Sequence, residues 1–159
     1  MKQNFSARTT ALDDALGVGR CFDMTARDLT IGGRRARLWV VNGYAQESVL
    51  ERIIAQWLAA PDLADMKTPD AFLRRFVTAC DAAVCLKKEA AVLGVFSGKT
   101  LLVVDGWDGG ILMDVKQFPT RSIEEPDTSR VLRGSHDGFV ENLMQNAALL
   151  RRRIRDSRL

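Results

Sequence analysis

Apolar and polar residues follow two rhythms along this chain, and the change between them marks the elements. Residues 22–31 read as a strand, Gly32-Gly33 offers a two-residue reversal, and residues 35–41 alternate before running apolar through Leu38-Trp39-Val40-Val41. That is the pattern of a β-hairpin. Asn42-Gly43 closes the strand, and Val49, Ile53, Ile54, Trp57 and Leu58 then recur at helical spacing until Pro61. Thr68-Pro69-Asp70 opens a second helix, with Thr68 as cap and Pro69 in the first turn, where its missing N–H has no partner to lose. Phe72, Leu73, Phe76, Val77 and Cys80 form its apolar stripe. Residues 10–16 predict a short helix stopped by Gly17, residues 84–86 a short strand, and residues 88–96 a helix stopped by Gly98. Residues 100–104 and 111–115 are apolar runs of strand length joined through Asp105-Gly106-Trp107-Asp108-Gly109-Gly110, a second hairpin.

Helices interleaved with strands must bury their stripes on a sheet, so the expected class is α/β: a small mixed sheet of two hairpins covered by helices. Beyond Phe118-Pro119 the character changes. Residues 122–129 are acidic and carry Pro126, which predicts an extended connector. Ser135 is placed to cap a last helix, on which Phe139, Leu143, Ala147, Leu150 and Ile154 share one apolar face. The division expected is therefore an α/β subdomain over 1–120, a connector over 121–134 and an Arg-rich linker helix over 135–159.

Composition narrows the class without naming a chemistry. At 159 residues, with 47% hydrophobic and 27% charged residues, the chain suits one globular core and excludes disorder or a coiled coil. The longest apolar runs fall far short of the roughly 20 residues that cross a bilayer, and the N-terminus lacks a signal-peptide core, so a cytoplasmic location is expected. Charge is uneven: residues 130–159 hold seven Arg against three acids, while the rest is close to neutral.

The motifs that might carry catalysis fail on spacing. Ser97-Gly98-Lys99-Thr100 resembles the end of a phosphate-binding loop, but Leu93 stands where its first glycine is needed and the segment leaves a helix for a strand. Gly17-Val18-Gly19 lacks the third glycine of a dinucleotide site. Asp105, Asp108 and Asp114 match no calcium loop and suit a turn better. Cys21, Cys80 and Cys85 form no CxxC pair, and the lone His136 completes no zinc set. No catalytic residue, metal site or cofactor is assigned. The strongest local signal is Arg151-Arg152-Arg153-Ile154-Arg155, whose side chains fan around a helix and suit an acidic protein surface or anionic lipid better than nucleic acid.

Longer stretches then become legible together. Glu125-Pro126, the run from Arg130-Val131-Leu132-Arg133-Gly134-Ser135-His136 to Asp137-Gly138-Phe139-Val140-Glu141, Asn146, and Leu149-Leu150-Arg151-Arg152-Arg153-Ile154-Arg155-Asp156 resemble the signature of the GerA family of spore germination proteins. Leu16-Gly17-Val18-Gly19, Phe22-Asp23, Ile31-Gly32-Gly33, Val41-Asn42-Gly43 and Ser97 through Gly106 are similar to the same family, particularly to a stage V sporulation branch of it. Ser135 and Asn42 depart from the Pro and Asp that many relatives carry there.

The resemblance implies a cytosolic region of two α/β subdomains joined by a linker, followed by membrane helices that assemble into an ion-conducting complex of the inner spore membrane. This chain matches the first subdomain and the linker helix, so the second subdomain and the membrane region are expected to lie outside it. The implied function is an assembly or signal-coupling domain without catalysis, located on the cytoplasmic side of that membrane. Its expected partners are other subunits or copies of the complex, with contact to an anionic membrane surface, no nucleic acid, and homo-oligomers in the full-length context. Glu125, Arg133, Phe139, Leu143, Asn146, Leu150, Arg151, Arg152, Arg153 and Arg155 are the expected interaction residues. The competing readings are an anionic-surface or nucleic-acid binder using the Arg cluster, and a nucleotide-binding enzyme using residues 97–100.

Overall fold

The computed structural model describes residues 4–59, 62–63, 66–78, 80–116, 142–154 and 156. Five strands form one sheet in the order β1-β2-β4-β5-β3: β1 (Met24–Ile31), β2 (Arg34–Val41), β3 (Asp81–Cys85), β4 (Thr100–Val104) and β5 (Gly110–Asp114). The expected α/β class holds, with one difference: among the described residues every pairing is antiparallel, so the sheet they form is not mixed. The reason is that β3 and β4 do not pair with each other; they run parallel on either side of β5, which separates them.

The two hairpins form where the turn residues allow. Gly32 and Gly33 both take positive φ, 50° and 76°, the backbone that a two-residue loop needs to follow the twist of its strands. Met24 then pairs with Val41 and Ile31 with Arg34. Alternation sends Ala36, Leu38, Leu102, Val104, Ile111 and Met113 to one face of the sheet, and Trp39, Val41, Leu101 and Val103 to the other.

Each face is covered by helices. On the first lie α2 (Glu47–Leu58) and α3 (Pro69–Phe76), packing Ile53, Ile54, Trp57 and Phe72 onto the sheet. Phe72 is the hub, with its ring centroid 5.7 Å from Trp57, 5.0 Å from Phe76 and 5.0 Å from Trp107. The buried indoles keep their N–H groups satisfied: Trp57 donates to Phe76 O at 3.2 Å and Trp107 to Met66 O at 2.9 Å. On the second face lie α1 (Phe5–Leu16), α4 (Lys88–Phe96) and α5 (Leu143–Arg153). α4 settles directly on β5, because a Cβ at Gly94 would stand 2.6 Å from Leu112 Cδ1.

Several boundaries differ from the sequence reading for local reasons. α1 begins at Phe5, not residue 10, because the side chain of Asn4 accepts from Ser6 N and caps an earlier turn. β1 starts at Met24, leaving Phe22 in a turn and 61% exposed. α3 stops at Phe76, so Cys80 lies beyond it, half-buried against the core just before β3. Leu58, expected on the buried face of α2, is exposed at the last turn.

Candidate functional site: the α5 clasp

α5 is held to the second face of the sheet by a buried ion pair, beside which its buried apolar contribution among the described residues is two alanines, Ala147 and Ala148. Arg151 is fully buried, and its guanidinium grips Asp23 in both prongs: Nε donates to Oδ2 at 2.9 Å and Nη2 to Oδ1 at 2.6 Å. Nη1 donates to Asp156 O at 2.6 Å, folding the chain back after the helix. The guanidinium carbon lies 5.4 Å from the centroid of the Phe96 ring, so α4 supplies an aromatic wall. One turn earlier, Tyr44 Oη donates to Ala148 O at 2.7 Å from within the core. Burial opposes the charge on Arg151, but hydrogen bonds and attraction from Asp23, with Cys21 adding to both, hold its pKa above the ordinary arginine value.

The clasp ties distant segments. Asp23 sits just ahead of β1, and its own carbonyl accepts from Asn42 N at 2.7 Å at the end of β2. Asp23 and Arg151 are 128 positions apart, yet each belongs to a stretch that carried the family resemblance.

The orientation of α5 corrects the sequence reading. A stripe of Leu143, Ala147, Leu150 and Ile154 was expected to be one apolar face, and only Ala147 of these is buried. Ala147, Ala148 and Arg151 face inward instead, a direction rotated roughly 80° around the helix axis from the expected stripe. Leu143, Leu150 and Ile154 are left 71%, 38% and 45% exposed. Arg151 is therefore not part of an outward fan of cations; it is the anchor, and Arg153 is exposed. Asn146 is half-buried on the same helix. Glu125, Arg133, Phe139 and Arg155 lie outside the described residues, as do Ser135 and His136, and the side chain of Arg152 is not described.

A second charged cluster fixes α1 to the sheet. Arg37 reaches Asp13 on α1 (Nη2 to Oδ2, 2.9 Å) and Asp28 on β1 (Nη1 to Oδ1, 2.6 Å), while Trp39 Nε1 donates to Asp13 Oδ1 at 2.8 Å. Burial opposes the Arg37 charge, and the two carboxylates outweigh it and raise the pKa. Arg8 pins the β4–β5 turn by donating to Trp107 O at 2.7 Å and Gly109 O at 3.0 Å. Its pKa is lowered by burial, against the pull of Asp108 and Asp105. These contacts position the scaffold.

The remaining sequence candidates resolve into structure. Ser97 Oγ donates to Leu93 O at 2.7 Å, and Ser97-Gly98 close the C-terminus of α4, the negative end of the helix dipole. A phosphate would meet the wrong pole there. Asp105 turns to Arg35 at 2.8 Å and Asp114 to Lys116 at 2.7 Å, and among the described residues no group of carboxylates, Cys or His converges as for a metal. No described helix is long and apolar enough to cross a membrane. Sequence reasoning missed Tyr44 and gave Asp23 no role; the available signal was that an Asp and an Arg in separate family-like stretches needed partners.

Comparison with known proteins gives a consistent picture. A family model described as "Bacillus/Clostridium GerA spore germination protein" matches residues 11–159. Stage V sporulation protein AF of Bacillus subtilis (strain 168) is 35% identical over 148 residues, covering 91% of this chain and 29% of that protein. Spore germination protein B1 of the same organism is 31% identical over 144 residues, covering 89% of this chain and 30% of the relative. The chain thus spans about 30% of the length of these curated relatives. Among solved structures, the N-terminal domain of the A subunit of the Bacillus megaterium spore germinant receptor GerK3 superposes with a TM-score of 0.69 at 18% identity, covering 99% of this chain and 57% of that one. That likeness shows the fold.

Proposed function

The chain belongs to the GerA family of spore germination proteins, and on that premise we propose that it is a non-catalytic assembly and signal-coupling domain of a germination receptor complex, working by protein contact. The observation that carries the reading is the division of labour on α5. Its inward side is fixed by the Arg151–Asp23 pair, while Leu143, Leu150 and Ile154 stand in solvent on a helix whose orientation is set. An exposed apolar row on a rigidly held helix suits a protein partner. The solved neighbour is the N-terminal domain of the A subunit of a germinant receptor, and a subunit has partners. The reading takes residues 1–120 as a first α/β subdomain and 135–159 as a linker helix, on the cytoplasmic side of the spore inner membrane. Other subunits or further copies cover the outer side of α5.

The test is a photo-cross-linking residue placed at Leu150 in the chain expressed in sporulating cells, with adducts identified by mass spectrometry. Adducts to receptor polypeptides, lost on Leu143→Asp, are expected. Absence of any receptor adduct, together with unchanged germination of Leu143→Asp and Leu150→Asp spores, would overturn the proposal. Binding to acidic vesicles or duplex DNA that falls steeply with salt would instead favour an anionic-surface role. The burial of Arg151 weighs against that role by removing one cation from the cluster.

A further inference from the structure

The two edges of the sheet are built in opposite ways. β1 is the outer strand on one side, and Arg27 and Asp28 occupy its middle. In the two registers that pair the most of β1 with a second copy, a two-fold axis through the middle of the strand would set Arg27 against Arg27 or Asp28 against Asp28, because symmetric antiparallel pairing brings same-face residues together. Like charges directly opposite are destabilising, so this edge is guarded.

β3, on the other side, has no such guard. Among the described residues it pairs with β5 alone, and its sequence is Asp81-Ala82-Ala83-Val84-Cys85, with Leu86 71% exposed immediately after it. Asp81 and Lys87 are both exposed, and neither has an ion-pair partner among the described residues. Ala83 and Cys85 lie on the α4 side of the sheet, and Lys87 is itself extended (φ −97°, ψ 134°), so two-residue alternation continued past the strand end puts Asp81 and Lys87 on that same side.

We infer that the β3 edge is a self-complementary docking strand for a second copy of this chain, paired antiparallel about a two-fold axis through Val84. In that register Val84 meets Val84, Ala83 meets Cys85, and Ala82 meets Leu86 of the other copy. Asp81 stands opposite Lys87 twice, once on each side of the axis. Sliding the axis to Ala83 sets Asp81 against Cys85 and forms neither ion pair, so the charges select one register. Leu86 is covered in the process, and the two sheets become one of ten strands, twice the five of a single copy. The inference does not depend on the role proposed for α5.

A single short edge strand with its two flanking residues gives a small interface of the weak, transient class, with a Kd between about 1 µM and 1 mM. Sedimentation equilibrium of the chain across that range is the measurement, with circular dichroism confirming the fold of each variant. A dimer is expected, weakened roughly tenfold by Lys87→Asp or by Asp81→Lys alone, since each reversal sets two like-charge pairs opposite one another. The swap Asp81→Lys/Lys87→Asp restores the original affinity. A monomer at about 1 mM, a dimer indifferent to the single reversals, or a swap that fails to recover each overturns the inference.

Discussion

Replacing Arg151 by Met keeps the length and greasiness of the side chain and removes its charge, leaving the Asp23 carboxylate in a site where it is 2% exposed. Breaking a buried pair from one side costs about 3–5 kcal/mol, because the remaining ion has neither water nor partner. α5 has a way to avoid that cost, which is to let go. Besides the pair, its docking rests on the burial of Ala147 and Ala148 and on the Tyr44 bond to Ala148 O. Two methyl groups contribute about 1.6 kcal/mol and one neutral hydrogen bond about 1 kcal/mol, together less than the stranded charge would cost. Arg151→Met should therefore release α5 and lower stability by about 2–3 kcal/mol, which for a domain of this size is a fall of roughly 4–12 °C in Tm. Hydrogen exchange distinguishes release from general weakening: amides of α5 lose protection while those of β2, β4 and β5 keep it. Asp23→Leu/Arg151→Met should hold α5 in place, since an apolar pair of similar volume replaces a buried ion pair at little cost. Unchanged protection of α5 in the single variant, with stability within about 0.5 kcal/mol, would refute the clasp. A double variant as unstable as the single would refute the stranded carboxylate as the cause.

Three further outcomes follow from the scaffold. Asp13→Ala strips Trp39 Nε1, on a fully buried indole, of its acceptor and should cost about 1–3 kcal/mol in urea unfolding, whereas Asp28→Ala at the exposed end of the same cluster should cost under about 1 kcal/mol. Gly32→Ala should destabilise by clearly more than Gly33→Ala: both φ values are positive, but a Cβ at Gly32 would stand 2.6 Å from Leu63 Cγ and 2.7 Å from Leu63 N, while the space at Gly33 is open, leaving only strain of about 1–2 kcal/mol there. Burial pushes the Cys80 and Cys85 thiols above the ordinary 9.0, so the folded state holds their protons after the unfolded chain has released its own. That contribution is complete below pH 9.0 and declines as pH climbs through the folded values, which chemical denaturation across the alkaline range would register as falling stability, abolished in Cys80→Ala/Cys85→Ala.

The hairpins and α4 were legible because their signals are local. Gly32-Gly33 sets a turn by its own backbone freedom, and the ends of α4 coincide with residues 88–96 as read from the sequence. The antiparallel order was not legible, because β3 and β4 look like successive strands of a crossover until β5 is inserted between them. The face of α5 was misread for a related reason. Periodicity counts apolar residues and assumes that they turn inward, but a buried guanidinium with a buried carboxylate opposite outweighs three leucine-sized side chains that find no surface to cover. Nothing within α5 announces Asp23, which lies 128 positions away.

The choice of an arginine for the inward side has a consequence that leucine would not have. An apolar stripe on a sheet tolerates small rotations and slips, since the hydrophobic effect is non-directional. A guanidinium held in both prongs by one carboxylate, with a third donor on Asp156 O and an aromatic wall at Phe96, is satisfied at one rotation and one height. The outward leucines are thus presented in a fixed direction relative to β1 and β2. By the same geometry, a partner that pulls on those leucines strains the Asp23 carboxylate, and through the Asp23 carbonyl the Asn42 amide at the end of β2. A load on the outer face of α5 would therefore reach the sheet through a polar contact that either holds or breaks, as the proposed coupling role requires.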